Sequence, residues 1–577
     1  MGCFNTHASG TNDPPEVRNW RIHFIALVAS MSALALGYDS AVIGGTMALD
    51  SFVRDFGLLD ATQSKRDEVQ SNIVSTFYAS RLSSLSNVAF FEIEYGTNLM
   101  GFRLLGRKRA ILIASCVFLL GGTVMTASNG NMNMIIGGRA VAGLGIGACA
   151  LVVPVYIAET APPSIRGRLI GIFEIASQGG GMLGFWINYA TDQIVANDAK
   201  TQWIVPLAFQ LVPGVLLFVG MMFCPESPRW LAKGDNYESA EGVLTMIRGL
   251  SNDHSYIRHE MGEIRTQIEQ RSTTKMSKTA KAKKLFQKGV RNRLGIGLAL
   301  MFLQSFTGVN ILMYCESILH WSSPGGGGST RLVLGVSWYH ANGFTLLLDS
   351  PRIFETLGVT GTSTKLFSTG FYGVAKTLGM ITFTILVIEK VGRRKGMIWG
   401  SALGCIPMFY IGSYVMKANP IEAAAAGRPV AKDGWAYLAI TCVYIHGFII
   451  TATWQGITWT VCSEIFPLDI RMLCVALTTA DTWVGSFIIA RTTPYMISDL
   501  GYGAYFFFSA ILVGMGIWAF AFVPETKGIS LEDMDALFMK PTHKIVWAQL
   551  RRKPFHTERV EPEADVKDLE VEEIEKR

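Results

Sequence analysis

The chain has 577 residues, of which 50% are hydrophobic and only 17% are charged, and its formal net charge is +6. A soluble globular protein carries more charge than this, and 59 glycines are typical of closely packed membrane helices. The composition therefore excludes a soluble enzyme and gives no sign of nucleic-acid binding. The nine cysteines are scattered and form no CxxC pair, so neither a zinc site nor a disulfide framework is predicted.

Long apolar stretches predict membrane-spanning helices, because about 20 apolar residues cross a bilayer. The first half contains 22–47, 110–127, 134–157, 168–190 and 203–224. The second half contains 294–315, 365–388, 396–416, 435–462, 471–496 and 503–523. An interrupted stretch at about 72–101 completes the set. The sequence therefore predicts an all-α membrane protein with twelve transmembrane helices.

Lysine and arginine are concentrated in alternate connectors. The basic segments are 103–109, 166–168, 225–293 and 390–395. The connectors that should lie on the other side of the membrane have few basic residues: 128–133 has no lysine or arginine, and 191–202 has one. The positive-inside rule therefore places the 1–21 and 524–577 tails and the 225–293 loop in the cytoplasm. The loop has loosely helical spacing of apolar residues, which predicts short cytoplasmic helices.

Several motifs occur once in each half of the chain. Gly106-Arg107-Lys108 is matched by Gly392-Arg393-Arg394, and each lies in a short basic connector. Pro225-Glu226-Ser227 closes the first half as Pro524-Glu525-Thr526 closes the second. Paired motifs in an apolar chain predict two pseudo-symmetric six-helix bundles, 22–224 and 294–523, with a substrate site between them.

Asp39 follows an apolar run from Ile25 to Leu36 in the first span. A carboxylate inside a membrane is costly and is therefore a functional candidate, although a helix-end Asp satisfied at the interface is the alternative. Arg139, near the start of the 134–157 span, is a plausible counter-charge. Proximity of Arg139 would favour loss of the Asp39 proton, and separation would favour its return.

The motifs and their order along the chain resemble those of the sugar porters of the major facilitator superfamily. The resemblance is strongest to the fungal branch of monosaccharide and quinate-type proton symporters. The matching segments are 37–39, 138–147, 159–167, 225–230, 304–310, 392–394, 463–471 and 524–528, and 184–189 resembles the quinate-type branch. The resemblance covers about residues 20–540. It implies the 12-helix major facilitator fold, with Asp39 as the proton-coupling carboxylate and Arg139 as its counter-charge.

The resemblance implies that Glu174, Gln304, Asn310 and Trp459 bind substrate. Amides match sugar hydroxyls, and a Trp face packs against the C–H side of a ring. Glu174 stands where many sugar porters have Gln, and a carboxylate would repel an anionic substrate. Ser305 and the Gln455-Gly456 pair also depart from the family pattern, so the sequence leaves the substrate open.

A gating role on the cytoplasmic side is also implied by the resemblance. The residues concerned are Arg107, Glu159, Arg166, Glu389, Arg393, Glu464 and Arg471. In the family, such residues hold the cytoplasmic ends of neighbouring helices together in the outward-open state. Each pair in a partly wet interface contributes only about 1 kcal/mol, which suits a switch. The alternative is that the arginines only determine topology.

The implied function is proton-coupled import of a monosaccharide (hexose or pentose) or related polyol across the plasma membrane, by alternating access. A quinate or sugar-acid symporter is the alternative within this class, and a sugar sensor that does not transport is the alternative from another class. The expected partners are the substrate, protons and the lipid bilayer. We expect a monomer with no cofactor, no metal and no nucleic-acid partner.

Two stretches do not fit the pattern. Residues 80–101 introduce Arg81, Glu92 and Glu94 into the second span, where charges that face lipid are costly. Residues 316–349 contain a Gly-rich run and no apolar pattern. A retained intron would explain the second stretch. Cys315 as TGT supplies the GT dinucleotide, and the last base of Leu348 (TTA or CTA) with the first base of Asp349 (GAC) supplies the AG. The remaining T and AC join to encode Tyr. A genuine external insert is the rival hypothesis.

Sequencing of the transcript across 316–349 tests the intron hypothesis. We expect a transcript that lacks this segment and encodes Tyr at the junction, because excision restores a continuous external loop. Amplification across 225–293, where no intron is predicted, serves as the control. Retention of the segment in every clone would contradict the hypothesis.

Overall fold

The computed structural model describes residues 14–59 except 48, then 69, 73, 76, 77, 80 and 81, and then 102–162, 165–197, 199–273, 283–287, 289–308, 362–418, 434–467, 470–527, 534 and 538. All statements below concern these residues. Glu92, Glu94, Asn310 and the whole of 316–349 lie outside the described part.

The described part of the first half is helical. After a 3₁₀ turn at Pro15–Arg18, its helices are α1 (Trp20–Met47), α2 (Asp50–Asp55), α3 (Phe102–Thr126), α4 (Met132–Thr160), α5 (Arg166–Ile194), α6 (Thr201–Phe209) and α7 (Leu211–Phe223). The connector between the halves forms α8 (Pro228–Lys233), α9 (Tyr237–Arg248) and α10 (Ser255–Thr273). These three are the short helices predicted in the 225–293 loop.

The second half repeats the pattern. Its helices are α11 (Val290–Ser305), α12 (Thr362–Thr382), α13 (Arg393–Ala418), α14 (Gly434–Ile450), α15 (Gly456–Glu464), α16 (Arg471–Leu500) and α17 (Gly503–Phe522). Two π-helical segments extend these elements, Phe383–Val391 after α12 and Thr451–Gln455 between α14 and α15.

Eight helices of the described part are long and apolar enough to cross a membrane. Three further helices, α5, α11 and α16, coincide with the predicted spans 168–190, 294–315 and 471–496 but are not among the eight. Polar side chains such as Glu174 in α5 and Thr482 in α16 lower their hydropathy. α11, with 16 residues, is shorter than the eight helices that are long enough to cross a membrane.

Neighbouring helices are arranged alike in the two halves. In the first half α1 packs on α5, and α3 packs on α4 and α7; in the second half α11 packs on α16, and α13 packs on α14 and α17. The halves meet where α5 packs on α12, and where Leu151 of α4 meets Ala476 and Trp483 of α16. The prediction of two pseudo-symmetric bundles in the major facilitator fold is confirmed.

Glycines allow α1 and α5 to lie in direct backbone contact. A Cβ on Gly37 would collide with the carbonyl of Ser177, and one on Gly180 would collide with the carbonyl of Leu34. Toward the ends of these helices, the amide of Asn188 donates to the Val42 carbonyl at 2.7 Å. Small residues at such interfaces replace the hydrophobic effect, which is absent between helices in lipid, with close packing.

α14 and α15 form one span with a π-helical segment inside it. The family pattern has Gly-Pro where this chain has Gln455-Gly456, and here the π segment Thr451–Gln455 supplies the irregularity. Gly456 is required by packing, because a Cβ there would collide with the ring of Phe383. Further up the span, His446 is buried, with Nδ1 2.9 Å from the Gly404 carbonyl and Nε2 3.1 Å from the Thr307 carbonyl.

On the predicted outer side, α2 covers the start of α6. The rings of Phe52 and Phe56 stack with centroids 4.2 Å apart, and both meet Trp203 edge-on. The Trp203 indole donates to the Asp55 carboxylate at 2.9 Å. Burial acts to raise the pKa of Asp55, but hydrogen bonds from Trp203 and Arg54 outweigh it and lower the pKa below its usual value.

The Gly37→Leu substitution should destabilise the first bundle, because α1 and α5 would have to separate. We expect a lower thermal unfolding midpoint of the detergent-solubilised protein, corresponding to about 3 kcal/mol or more. Gly179→Leu is the matched control on α5, since a Cβ at Gly179 meets nothing within 4 Å. Equal midpoints for the two variants would refute the close approach.

Candidate functional site

Asp39 and Arg139 form an ion pair buried inside the first bundle. A terminal nitrogen (NH1) of Arg139 lies 2.6 Å from Asp39 Oδ1 and 3.0 Å from the Asp39 carbonyl. The side chains are 0% and 1% exposed. The guanidinium also lies over the ring of Phe77, 4.0 Å from its centroid. The pairing predicted from the sequence is therefore present as a direct contact between α1 and α4.

The second carboxylate oxygen of Asp39 is bonded differently from the first. Oδ2 is buried and accepts no hydrogen bond from the part of the chain that the structure describes. A proton added there breaks no existing hydrogen bond, whereas ionisation leaves a buried oxygen without a donor. The arrangement can therefore hold Asp39 in either protonation state.

Arg81 lies close to the same pair. It is 1% exposed and does not face lipid, so the expectation of a lipid-facing charge at this position is wrong. Its guanidinium lies 4.1 Å from the centroid of Phe77 and 4.6 Å from that of Trp483, and it donates to Ser40 at 3.4 Å. The two aromatic faces replace part of the hydration that the buried cation loses. The contact with Trp483 also joins the two halves.

Glu174 lies on the stripe of α5 that faces the space between the two bundles. One side of α5 contacts α1 through Ser177 and Gly180, and another contacts α12 through Met182 and the following π-helical segment through Gly171. With 100° per residue, Glu174 falls between these sides. Its side chain is half-buried. It therefore points toward the central space.

Gln304 and Ser305 face different neighbours. Ser305 donates to the Thr482 carbonyl at 3.2 Å and packs against Gly485, so it is directed toward α16. Gln304 lies two turns beyond Gly297 on the same face of α11, and Gly297 packs against Phe466 beside α15. The Oε1 atom of Gln304 is buried and has no hydrogen-bond partner among the described residues. It is an available acceptor for a ligand hydroxyl.

Trp459 lies on α15, next to α11. The Sγ of Cys462 contacts the Gly297 carbonyl at 3.8 Å, which sets the relative height of the two helices. Trp459 is one turn from Cys462 and Gln304 is two turns from Gly297, so their heights differ by about 6 Å. Trp459 is half-buried and packs against the core. The indole thus lies about one turn nearer the predicted cytoplasmic side than the amide.

A bonded cluster joins α3, α4 and the start of the connector at the predicted cytoplasmic side. Arg107 binds Glu159 in a bidentate manner at 2.8 and 3.0 Å. Glu159 also accepts from the Ser227 hydroxyl at 2.5 Å, and Glu226 accepts from the backbone N–H of Arg107 at 2.8 Å and of Lys108 at 3.1 Å. Gly106 has φ of 79°, a conformation that favours glycine.

The second half contains the same cluster. Arg393 binds Glu464 at 2.7 Å, and Glu464 accepts from the Thr526 hydroxyl at 3.0 Å. Glu525 accepts from the backbone N–H of Arg393 at 2.9 Å and of Arg394 at 3.2 Å. The preceding Gly392 has φ of 90°. Arg107, Glu159, Arg393 and Glu464 therefore occupy equivalent positions in two copies of one network.

Glu226 and Glu525 complete these clusters, and sequence analysis did not single them out as site residues. The sequence contains a signal for both residues, because each follows a proline in the repeated Pro-Glu-Ser/Thr motif. Arg471 donates to the Phe466 carbonyl at 3.2 Å within its own connector. The side chains of Arg166 and Glu389 lie outside the described residues, as does Asn310.

The backbone carbonyls of Thr160 and Ile465, which follow Glu159 and Glu464, each accept a hydrogen bond from an arginine. Arg248 of α9 is buried and donates to the Thr160 carbonyl at 2.8 Å, while it also binds Glu260 at 2.6 Å. Arg293 of α11 donates to the Ile465 carbonyl at 3.2 Å. The connector helices are thus tied to the end of α4. In the described part, no three His, Cys, Asp or Glu side chains converge as metal ligands would.

Two matched helical bundles with a buried ion pair, polar side chains facing a central space and paired clusters at one end are the architecture of a membrane transporter of the major facilitator class. A family profile described as "Sugar (and other) transporter" matches residues 25–320 and 340–538. The chain belongs to this family. The gap between the two matched ranges, residues 321–339, falls within the segment predicted to be an insert.

Relatives in other fungi share most of the length of this chain. It is 37% identical over 547 residues to a protein of Aspergillus clavatus named "Probable quinate permease", covering 93% of this chain and 92% of that protein. It is also 37% identical over 529 residues to a protein of Aspergillus niger with the same name, covering 91% and 89%.

Solved structures of the xylose transporter XylE have the same fold. The proton:xylose symporter bound to 6-bromo-6-deoxy-D-glucose matches with a TM-score of 0.67 at 23% identity, covering 90% of this chain and 99% of that one. The inward-open form from E. coli matches with a TM-score of 0.62 at 23% identity, covering 89% and 99%. At this identity the likeness establishes the fold.

Substitution of both missed glutamates, Glu226→Gln and Glu525→Gln, should weaken the two clusters. Each amide retains one acceptor oxygen and turns a donor toward the backbone N–H groups, which costs about 1–3 kcal/mol per site. We expect a lower unfolding midpoint of the purified protein, with Glu238→Gln on the exposed face of α9 as the control. An unchanged midpoint in the double variant would show that these carboxylates do not hold the helix ends.

Proposed function

We propose that the chain imports a small, hydroxyl-rich ring compound across the plasma membrane together with a proton, with its termini in the cytoplasm. Quinate is the first candidate substrate, and a monosaccharide is the second. The single observation that carries the proposal is the buried Asp39–Arg139 pair, in which one carboxylate oxygen is bonded and the other is not.

The proton-coupling step follows from the electrostatics of that pair. While Arg139 lies beside Asp39, its charge favours the ionised carboxylate. If a shift of α1 against α4 within the first bundle separates the two groups, the buried carboxylate favours protonation because ionisation in an apolar surrounding is costly. Alternate exposure of Asp39 to the two sides would then carry one proton in each cycle.

The polar groups that face the central space support a hydroxyl-rich substrate. Glu174 offers acceptor oxygens, and Gln304 offers both an acceptor and donors, which suits hydroxyl groups that do both. Trp459 offers an aromatic face for the C–H side of a ring. Quinate is named first because relatives that share more than nine-tenths of their length with this chain bear that name. The sugar alternative is favoured by Gln304 and Trp459, which match the sugar-binding positions of the family.

The two cytoplasmic clusters suit a switch between states. Arg107 and Glu159 are 23% and 15% exposed, so their attraction is screened by water and is worth about 1 kcal/mol. A pair this weak can break when the substrate shifts the equilibrium between outward-open and inward-open forms. Because Glu226 and Glu525 hold the backbone on either side of the break, the helix ends can move without unfolding.

Asp39→Asn should abolish uphill accumulation while leaving some exchange of internal for external substrate, because an amide cannot release a proton. The measurement is uptake of radiolabelled quinate and glucose in a transporter-deficient yeast at acidic and at neutral external pH. Accumulation is expected to fall at least tenfold in the variant and, in the wild type, to decline as external pH rises.

Asp253→Asn, on an exposed loop between α9 and α10, is the matched control. Surface quantities of each variant are measured with a fluorescent fusion, so that a folding defect is distinguished from loss of coupling. Undiminished uphill uptake by Asp39→Asn would remove Asp39 from the coupling role. Substrate binding without uptake by the wild type would favour the sensor.

A further inference from the structure

Lys376 of α12 is a buried cation to which the proposed transport cycle gives no role. It is 9% exposed in a helix that crosses the membrane, and its ammonium lies 5.8 Å from the ring centroid of Tyr372. A lysine inside a membrane-spanning segment is costly, so it marks an ion or substrate pathway by default. The position of Lys376 in the bundle indicates which of these two pathways it lines.

Contacts along α12 show which side of the helix carries Lys376. Gly370 and Gly373 pack on Trp186 and Met182 of α5, whereas Tyr372 and Gly379 pack on α14. With 100° per residue, Lys376 falls between the α5 side and the α14 side. Phe367 and Phe371 lie on the opposite side and are 42% and 44% exposed, as residues that face lipid would be. Lys376 therefore faces the central space between the bundles.

Contacts of α12 with α14 also give the position of Lys376 along the bundle axis. Tyr372 packs on Gly447, next to His446, and His446 Nε2 lies 3.1 Å from the carbonyl of Thr307. Lys376 is one turn beyond Tyr372 toward the predicted cytoplasmic side, and Gln304 is three residues before Thr307 in the same direction. Lys376 and Gln304 therefore lie at a similar level along the bundle axis.

Glu174 lies on the opposite wall and nearer the predicted cytoplasmic side. The contacts of Gly373 with Met182 and of Gly370 with Trp186 make Lys376 level with about residue 179 of α5. Glu174 precedes residue 179 by five residues, which places it about 7 Å nearer the predicted cytoplasmic side. The central space thus has a cation at one level and a carboxylate at another. A ligand that carries an anionic group and hydroxyl groups can satisfy both by its orientation.

A hydroxyl donor adds to the cationic end. The hydroxyl of Tyr372 is fully buried and has no hydrogen-bond partner within the described residues. Lys376 donates up to three hydrogen bonds and Tyr372 one, while a carboxylate accepts only. Charge-assisted hydrogen bonds of this kind are about twice as strong as neutral ones.

We propose that Lys376, assisted by Tyr372, binds the carboxylate of the substrate, so that the transporter selects an acidic cyclic polyol over its neutral analogues. This inference rests on the proposed transport function and narrows its substrate class. Glu174 then accepts hydrogen bonds from hydroxyls at the far end of the ring, away from the carboxylate that it would repel. Import of one monoanion with one proton moves no net charge across the membrane.

The test compares quinate with quinamide, which has the same ring and hydroxyls but no charge. Uptake and competition are measured in intact yeast for the wild type, Lys376→Met, Lys376→Arg and the control Lys417→Met on the exposed end of α13. We expect the wild type to prefer quinate at least tenfold, about 1.4 kcal/mol. Lys376→Met should raise the KM for quinate at least tenfold and that for quinamide less than twofold. Lys376→Arg should retain part of the preference.

The alternative outcomes are distinct. Wild-type transport of glucose or quinamide without preference for quinate would overturn the carboxylate site and leave the proposed transport function intact. Equal loss of both substrates in Lys376→Met, with normal surface quantity, would make Lys376 a structural residue and would also overturn the inference. Absence of uptake of any substrate by the wild type would refute the proposed function, and the inference with it.

Discussion

The pairing of Asp39 with Arg139 is the interaction on which the first bundle depends. Neither charge has water to solvate it, and a buried charge that loses its partner is strongly destabilising. The pair therefore fixes α1 against α4, and the glycine contacts then fix α1 against α5. The same requirement that buried polar groups be bonded within the protein explains why Arg81 lies between two aromatic rings and why His446 lies between two carbonyls.

The repeated clusters at the helix ends answer a different requirement. Each cluster holds helix ends together within its own half, and in the proposed transport cycle it would also have to break. Partial exposure keeps the Arg–Glu attractions weak, whereas the bonds from Glu226 and Glu525 to backbone N–H groups keep each turn intact. A glycine with positive φ makes the turn in both copies, so the two clusters share their backbone geometry as well as their charges.

The central space combines groups of opposite charge on different helices. Glu174 of α5 comes from the first half, and Lys376 of α12 and Gln304 of α11 come from the second. A substrate held by both halves is sensitive to their relative movement, which is what coupling of binding to alternating access requires. The interface of α5 with α12 is therefore both a contact between the bundles and one wall of the proposed site.

The sequence by itself determined the membrane class, the two halves, Asp39, Arg139 and the repeated motifs, because hydropathy and short motifs are local properties of the chain. Through the family resemblance it predicted that Arg107, Glu159, Arg393 and Glu464 belong to one network, and the structure shows which of them pair. It did not predict that Ser305 turns to α16, that Glu226 and Glu525 complete the clusters, or that Lys376 faces inward. In helices such as α1, α4 and α13, apolar residues are not concentrated on one side, so no amphipathic pattern reveals the inner face. Only the packing of neighbouring helices, through glycines and aromatic rings far apart in sequence, decides which side chains reach the centre.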